Sequence, residues 1–401
     1  MPGSTRDVGM KPGGRCREVA WTFLGLGLRS FGGPSAHVGY FRDECVARRG
    51  WLDDGAFASW VALCQFLPGP ASTQLAFCLG WLRAGWPGAW VAFVAFTMPS
   101  AVLMAAVAWG LPRWNGPWAD ATLHGLKVAA WAVVGQAVAG MALRLRGALG
   151  EVAIALAAGV AAIAWPNGTL QPAWVMSGAL LGLWMSRREA AAGQGTMAVR
   201  LRPWMAAGCL ALWAGLLAGS FRWGHGGVAG MGAALYRAGA MVFGGGHVVL
   251  PFLEESVVQS GVVTRDDFLA GYGVAQAMPG PMFTLGTYLG MRVGGWSGAV
   301  VGTAALFLPG LLLVSAVAPS WALLGRRRWA VRAVSGAGAA VLGLLAAAWL
   351  GPVREGAIRG GMDGVLGALA WGALASGRVP VLGVVAGCVA GAMALDGFAT
   401  H

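Results

Sequence analysis

Four short runs carry the chemistry of this chain. Ser30-Phe31-Gly32-Gly33-Pro34 and Gln65-Phe66-Leu67-Pro68-Gly69-Pro70 lie in the first half, and Phe243-Gly244-Gly245-Gly246-His247 and Gln276-Ala277-Met278-Pro279-Gly280-Pro281 in the second. Proline lacks an N–H and clashes with the preceding turn, and glycine carries a large entropic cost, so none of these runs continues a regular helix. A helix that restarts after such a break presents free N–H groups and the positive end of its dipole. That end binds an anion without any cationic side chain. Ser30, Ser72, Thr73, Gln74 and Thr284 stand beside the breaks and add donors. The substrate-contact candidates in the first half are Arg29, Ser30, Phe31, Gly32, Gly33, Pro34, Gln65, Pro68, Gly69, Pro70, Ser72 and Lys127. Those in the second half are Gly244, Gly245, Gly246, Gln276, Pro279, Gly280, Pro281 and Thr284. The bland alternative for each break is a simple kink with close helix packing around glycine.

Few ionisable residues interrupt the apolar stretches. Arg29, Lys127 and Arg237 are the basic ones, and no acid lies deep in an apolar segment by hydropathy. A cation carrier places Asp or Glu there, so this balance points to an anion. Lys127 and Arg237 also suit snorkelling from a segment end. His37 and His247 each follow a Gly-Gly break and are candidates for proton coupling, since imidazole titrates near neutral pH; a structural hydrogen bond is the plainer role. Asp53 or Asp54, and Asp266 or Asp267, are placed to cap helices starting near Phe57 and Phe268. Pairing of these acids with Arg42 or Arg265 would make a gate.

The elements that position these residues are membrane helices. Of 401 residues, 57% are hydrophobic, 11% are charged and 67 are Gly, with a mean hydropathy of +0.65. A soluble domain carries about 25% charged residues, so a water-soluble enzyme is excluded, as is a disordered chain. A transmembrane barrel would alternate polar and apolar residues, which these segments do not. The net charge of +12 comes from basic residues scattered through short loops, the pattern of topology signals rather than of nucleic-acid binding. The six Cys form no C-x-x-C pair and no metal spacing. Neither a disulfide framework nor a metal or other cofactor is expected, and no G-x-x-x-x-G-K-[ST] nucleotide loop occurs.

Thirteen apolar segments run near 19–41, 55–80, 86–111, 121–143, 148–165, 172–186, 203–221, 228–250, 268–290, 296–320, 331–351, 362–375 and 379–395. If each crosses, starting from a cytoplasmic N-terminus, the inside loops hold 17 basic residues and the outside loops 8. The loop 42–54, with Arg42, Arg48 and Arg49, is then the misfit. A re-entrant first or second segment would move it.

The landmarks recur. Phe-Gly-Gly returns at an offset of 212, Pro-Gly-Pro at 211 and Gly-Trp at 210, with Met98-Pro99 matched by Leu308-Pro309. The chain reads as an all-α polytopic membrane protein of two inverted repeats with broken or re-entrant helices and roughly 10–13 membrane segments. Its divisions are a cytoplasmic tail 1–18, a first repeat 19–186, a linker with a connecting segment 187–227, and a second repeat 228–401. Inverted repeats with broken helices belong to secondary transporters, with the substrate at mid-membrane between the repeats.

The run from Phe23-Leu24-Gly25-Leu26 through Ser30-Phe31-Gly32-Gly33-Pro34, with His37, Gly39-Tyr40-Phe41-Arg42, Trp51-Leu52 and Gln65 to Ser72, closely resembles the chromate ion transporter family. Phe243 to His247 and Pro279-Gly280-Pro281 resemble that family's second half. One departure is Gly246, where the first copy has Pro34. The resemblance implies a bacterial inner-membrane protein that exports chromate and confers chromate resistance, with sulfate as a competitor. The expected partners are these two anions and the lipid bilayer, with no nucleic acid; a homodimer is an allowed assembly. Moving two negative charges out of an inside-negative cell at 100 mV releases about 4.6 kcal/mol, equivalent to a gradient of roughly a thousandfold or more. The alternative is a carrier of sulfate or another oxyanion on the same fold, including uptake. A membrane enzyme is not expected, because the five His are scattered without a paired carboxylate at a recurring spacing.

Overall fold

A computed structural model describes residues 12–31, 33–113, 116–165, 170–187, 199, 201–222, 226–242, 249–259, 261–321 and 327–399. The described residues form helices joined by short turns. The first repeat contains α1 (Pro12–Arg29), α2 (Gly33–Phe41), a π-helical turn (Arg42–Arg48), α3 (Asp54–Phe66), α4 (Ala71–Gly110), α5 (Pro117–Leu143), α6 (Leu149–Ala164) and α7 (Gln171–Met185). Helix α8 (Pro203–Ser220) connects the halves. The second repeat contains α9 (Gly227–Met241), α10 (Val249–Leu253), a π-helical turn (Glu254–Gln259), α11 (Arg265–Ala277), a 3-10 turn (Met282–Thr284) and α12 (Leu285–Val317). It ends with α13 (Arg328–Ala348), a π-helical turn (Trp349–Val353), α14 (Arg354–Ala357), α15 (Gly361–Ala375) and α16 (Val381–Ala399).

Five helical stretches are long and apolar enough to cross a bilayer: Ala71–Gly110, Pro117–Leu143, Pro203–Ser220, Met282–Ser320 and Arg328–Ala357. Helix α8 buries only 6% of its most apolar window, so its side chains are left for lipid. The long apolar helices make this a multi-pass membrane protein.

Helices α4 and α12 each fold back on themselves. Gly85 has φ +69° and Gly295 φ +61°, a left-handed turn that favours glycine. The arms then press together. A Cβ on Gly80 would stand 2.4 Å from the Gly88 carbonyl oxygen, and one on Gly290 2.0 Å from that of Gly298. In a straight helix, residues eight apart are about 12 Å apart, so these contacts require a hairpin.

This fold-back decides the topology. Glu18, near the start of α1, accepts hydrogen bonds from Arg83 at the end of the first α4 arm (2.8 Å) and from Arg49 (3.2 Å) and Trp51 (3.3 Å) just before α3. The beginnings and ends of α1–α2 and of α3 with the first α4 arm therefore share one face. Each pair is a re-entrant hairpin. The second repeat does the same at the opposite face. Arg292, ending the first α12 arm, bonds Asp267 at the start of α11 at 3.0 Å, and Arg265 pairs with Glu254 in the turn after α10 at 3.3 Å.

Among the described residues, the paired helices at the start of each repeat return to the face from which they start. This corrects the loop assignment made by letting every segment cross: residues 42–54 lie on the face of the N-terminal helix start, and 254–267 on the other. The repeats remain inverted with both loops exchanged. Among the described residues, the second α4 arm, α5, the α6–α7 hairpin and α8 separate the two sets of re-entrant pairs. Helices α6 and α7 return to one face, where Ser186 donates to Glu151 at 2.7 Å.

Candidate functional site

The re-entrant helices meet at their breaks. Leu67 is extended (ψ 148°), Gly69 takes φ +119°, and α4 starts after Pro70. In the second repeat Met278 is extended (ψ 144°), Gly280 takes φ +91°, and the 3-10 turn starts after Pro281. Each break is strapped to the other repeat. Gly69 N–H donates to the Val242 carbonyl at 2.8 Å, and Gly280 N–H donates to the Ser30 carbonyl at 2.8 Å. Ser30 and Val242 are related by the Phe-Gly-Gly offset, and Gly69 and Gly280 by the Pro-Gly-Pro offset. The two bonds are one contact repeated by a pseudo-twofold axis, and they satisfy backbone groups that hydrocarbon could not. Glycine is required here: a Cβ on Gly69 would stand 2.8 Å from the Gly310 Cα.

The side chains at the two crossings differ. At the first, the Gln74 Nε2 donates to the Pro68 carbonyl (2.9 Å) and the Gly310 carbonyl (3.0 Å). Gln74 Oε1 and Thr73 Oγ1 have no partner, and both residues have zero exposure. At the second, Thr284 Oγ1 donates to the Pro281 carbonyl (2.9 Å) and meets Ser100 Oγ at 2.7 Å. By the same offsets Thr73 corresponds to Thr284, Gln74 to Leu285 and Ser100 to Gly310. At the first crossing the Gln74 oxygen and the Thr73 hydroxyl stay open; at the second, Thr284 and Ser100 close on each other, while the Ser30 hydroxyl stays open.

Helix α4 begins at the first crossing. Its first internal backbone bond runs from Gln74 N–H to the Pro70 carbonyl, which leaves the N–H groups of Ala71, Ser72 and Thr73 without a helical acceptor. Ser72 is buried with them. Ser30 is fully buried, and its Oγ has no partner. His37 Nε2 lies 3.1 Å from the Ser30 carbonyl. A carbonyl only accepts, so Nε2 carries the proton and the buried Nδ1 is left unpartnered. Phe31 is half-buried, Gln65 is exposed, and buried Gln276 points its Nε2 at the Met282 sulfur. Gly33 starts α2 with φ +77°, and Pro34 follows it in that helix. Gly32, Gly244, Gly245, Gly246 and His247 lie outside the described residues.

The two basic candidates are not brought together. Arg29 NH2 bonds Glu44 at 2.7 Å, and Glu44 also holds Arg48 and Arg49, each at 2.8 Å. Lys127 Nζ bonds Asp266 at 2.6 Å on the opposite face. Arg237 reaches back to the Ser220 carbonyl. The expectation that no acid is buried is corrected: Glu44, Glu151, Glu254 and Asp363 all are. The hydropathy pattern assigned Glu44 and Glu254 to loops, whereas the π-helical turns tuck both inward. Charge balance in the membrane therefore does not itself select an anion.

The acids at the two faces are unlike. Burial pushes Glu44 up, but hydrogen bonds from Arg49 and Arg29 and the charges of Arg49 and Arg48 hold it below the usual carboxylate range. Burial lifts Glu254 to about 7, only partly opposed by Arg265, and Glu355 adds to the rise. Asp53 caps α3 by accepting from Ala56 N–H at 2.7 Å. In the second repeat Thr264, not either Asp, caps α11, accepting from Asp267 N–H at 3.1 Å. Arg42 pairs with Asp54 at 2.7 Å, both exposed. Ser100 and the His124–Asp363 pair (2.9 Å) were not singled out in the sequence; the Met98-Pro99 landmark, one residue before Ser100, is the signal that could have found the first.

The chain matches the Chromate transporter family twice, over residues 17–183 and 229–393. It is 29% identical to a probable chromate transport protein of Synechococcus elongatus, covering 87% of each chain. It is 29% identical to the chromate transport protein of Cupriavidus metallidurans, over 83% of this chain and 81% of that one. It is 31% identical to the chromate transport protein of Pseudomonas aeruginosa, over 72% of this chain and 69% of that one. No solved structure matches. With both repeats matched, the chain belongs to the chromate transporter family.

Proposed function

We propose that the protein exports chromate, with sulfate competing, across the bacterial inner membrane as a secondary transporter driven by the membrane potential. The observation that carries this reading is the buried start of α4, where the two repeats are bonded to each other. There the N–H groups of Ala71, Ser72 and Thr73 lack a helical acceptor, and the buried Thr73 hydroxyl has no partner among the described residues, in a setting where dipoles act undamped by water. Ser30, with its own free hydroxyl, serves the opposite crossing. A tetrahedral oxyanion suits such donors, and the names of the relatives supply chromate.

Orientation follows from the re-entrant topology. With the remaining helices each crossing once, Arg15, Arg17, Arg42, Arg48, Arg49, Arg83, Arg144, Arg146, Arg187, Arg202, Arg327, Arg328, Arg332 and Arg378 fall on the face of Glu18, and Arg113, Arg222, Arg265, Arg292, Arg354 and Arg359 fall on the other. The positive-inside rule makes the first face cytoplasmic, and the loop 42–54 is no longer a misfit. An inside-negative potential then favours outward movement of an anion. His37, with its free Nδ1, stands next to the first break of repeat one and is the described candidate for proton coupling.

Everted membrane vesicles with an imposed potential test this. Accumulation of radiolabelled chromate that depends on potential and falls with excess sulfate is the expected result. No accumulation, with the protein verified in the membrane, would overturn export. Labelled sulfate entering right-side-out vesicles would then establish the uptake alternative.

A further inference from the structure

We propose that His124 and Asp363 form a proton-binding site on the outer face, where a proton taken up by His124 tightens a clasp between the repeats and slows export; the proposal rests on the transport reading above. Each repeat lends a short hairpin to a crossing helix of the other. Helix α13 of the second repeat packs against α6 and α7, and α5 of the first packs against α15 and α16. Both packings are close at a glycine. A Cβ on Gly336 of α13 would stand 2.1 Å from the Gly178 carbonyl oxygen, and one on Gly125 of α5 would stand 2.5 Å from the Val389 Cα. Gly125 and Gly336 are 211 residues apart, and so are Gly178 and Val389. The two packings are one arrangement repeated by the pseudo-twofold axis.

Each hairpin carries a buried carboxylate in its first turn, Glu151 in α6 and Asp363 in α15. Both carboxylates bond the residue just before the glycine of the facing helix. Glu151 accepts from Ser335 at 3.2 Å and from Ser186 at 2.7 Å, and Asp363 Oδ1 meets His124 Nε2 at 2.9 Å. Ser335 and His124 occupy one place in the repeat, again 211 residues apart. That place is a hydroxyl in the cytoplasmic copy and an imidazole in the outer one. A hydroxyl does not ionise near neutral pH, whereas imidazole does. Capping of α15 does not consume the pair, because the Arg359 N–H goes to Asp363 Oδ2 at 2.9 Å. A carboxylate only accepts, so Nε2 carries the hydrogen and Nδ1 is bare. Nδ1 is buried and has no partner among the described residues; it is the atom that takes a further proton. The Asp363 side chain keeps 12% exposure, which gives protons from the outer side a way to the pair.

Uptake turns a neutral hydrogen bond into an imidazolium–carboxylate pair, which is about twice as strong. Parting that pair would leave buried charge uncompensated. Alternating access moves one repeat against the other, so a pair that joins the repeats resists it when charged. Other charges near α5 are exposed or already held. Asp120 of α5 is exposed, and Lys127 bonds Asp266 of α11. On α11, Arg265 pairs with Glu254 and Glu355, and Asp267 with Arg292. Arg354 and Glu355 of α14, and Arg359, are exposed. Arg328 and Arg332 of α13 belong to its cytoplasmic end. Helix α16 brings the Cys388 carbonyl against Gly125; its Asp396 has a side chain outside the described ones. Among the described residues, Asp363 is the ionisable partner of His124.

The test uses the full-length protein in everted vesicles, whose lumen is the outer side, with the potential clamped by a potassium gradient and valinomycin. Bath pH is fixed, so the protonation of chromate where it loads is constant, and only lumenal pH is varied. As the lumen is taken from about pH 8 to about pH 5, the range in which imidazole charges, the initial chromate rate of the wild type falls. The expected fall is about tenfold, the difference between a neutral and a charge-assisted hydrogen bond. His124→Gln keeps a donor for Asp363 but cannot titrate, and it holds the alkaline-lumen rate at every lumenal pH. Asp363→Asn removes the counter-charge and moves the fall to a more acidic lumen. A wild-type rate that is flat in lumenal pH, or rises with acid, overturns the proposal. So does a His124→Gln protein that keeps the wild-type profile; loss of that profile in Glu254→Gln instead would put the effect on the other buried acid of that face. Should His124→Gln fail to reach the membrane, Asp363→Asn decides, and an unmoved profile overturns the site. No chromate transport by the wild type at any lumenal pH overturns the transport reading itself; transport indifferent to lumenal pH overturns only the proton site.

Discussion

The two crossings at the centre share one backbone and differ in what their side chains leave undone. The pair of strapping bonds, Gly69 to Val242 and Gly280 to Ser30, is repeated at 2.8 Å each. Around the second, Thr284 and Ser100 consume each other's hydroxyls. Around the first, Gln74 spends its donors on carbonyls, and its oxygen and the Thr73 hydroxyl stay free. The two copies share a symmetric scaffold, and on the proposed reading the first crossing is the one that holds the anion. The faces repeat the lesson. Glu44 is held by three Arg, which keep it below the usual carboxylate range, whereas Glu254 pairs with Arg265 and burial lifts it to about 7.

The largest effect is expected from Gly69→Ala. The added Cβ combines a left-handed φ with a backbone atom 2.8 Å away, and a loss on the order of 3 kcal/mol is expected. Gly280→Ala meets the Ser100 Cβ at 3.1 Å and should cost less. Thermal unfolding of the two purified variants checks the order. Next comes Glu44→Gln, which leaves three guanidiniums without their shared carboxylate. Because Arg29 and Arg48 are more than half exposed, the loss is about 1–2 kcal/mol rather than the full value for a buried pair. Glu254→Gln should be mild or stabilising at neutral pH under the same assay.

Thr73→Val and Thr284→Val sharpen the comparison further. Thr284 donates one bond and shares another, so its loss costs about 1 kcal/mol of stability. Thr73 has no partner in the protein, so its loss leaves stability unchanged and weakens chromate transport about tenfold, the size of one hydrogen bond to a charged group. A pH dependence separates the two buried glutamates. A carboxyl whose folded pKa is raised stabilises the fold below its unfolded pKa, and that contribution is lost as pH rises through the folded value. For Glu254 this window runs from the ordinary carboxylate range to about 7. The melting temperature of the wild type should fall between pH 5 and 8 relative to that of Glu254→Gln, and equal slopes would remove the assignment.

Much of the fold was legible in the sequence, because helix breakers and their spacing are local signals. Pro68-Gly69-Pro70 and its copy at 279–281 mark helix restarts wherever they fall, and the offset shows that they form a pair. Hydropathy cannot distinguish a full crossing from a re-entrant hairpin of equal length. Only contacts distant in sequence, such as Arg83 with Glu18, bring both ends of a hairpin to one face. The candidate site was legible in part for the same reason. Its backbone was marked by Gly and Pro. Gln74 bonds Gly310, 236 residues away, and the burial of Glu44 depends on a π-helical turn that no hydropathy pattern announces.

The most direct measurement is equilibrium binding of radiolabelled chromate to the purified full-length protein, comparing wild type, Thr73→Val and Thr284→Val at matched fold stability. Sulfate-displaceable binding that weakens about tenfold in Thr73→Val and hardly at all in Thr284→Val is the result predicted. Equal weakening in both variants, or in neither, would contradict an asymmetric site at the start of α4.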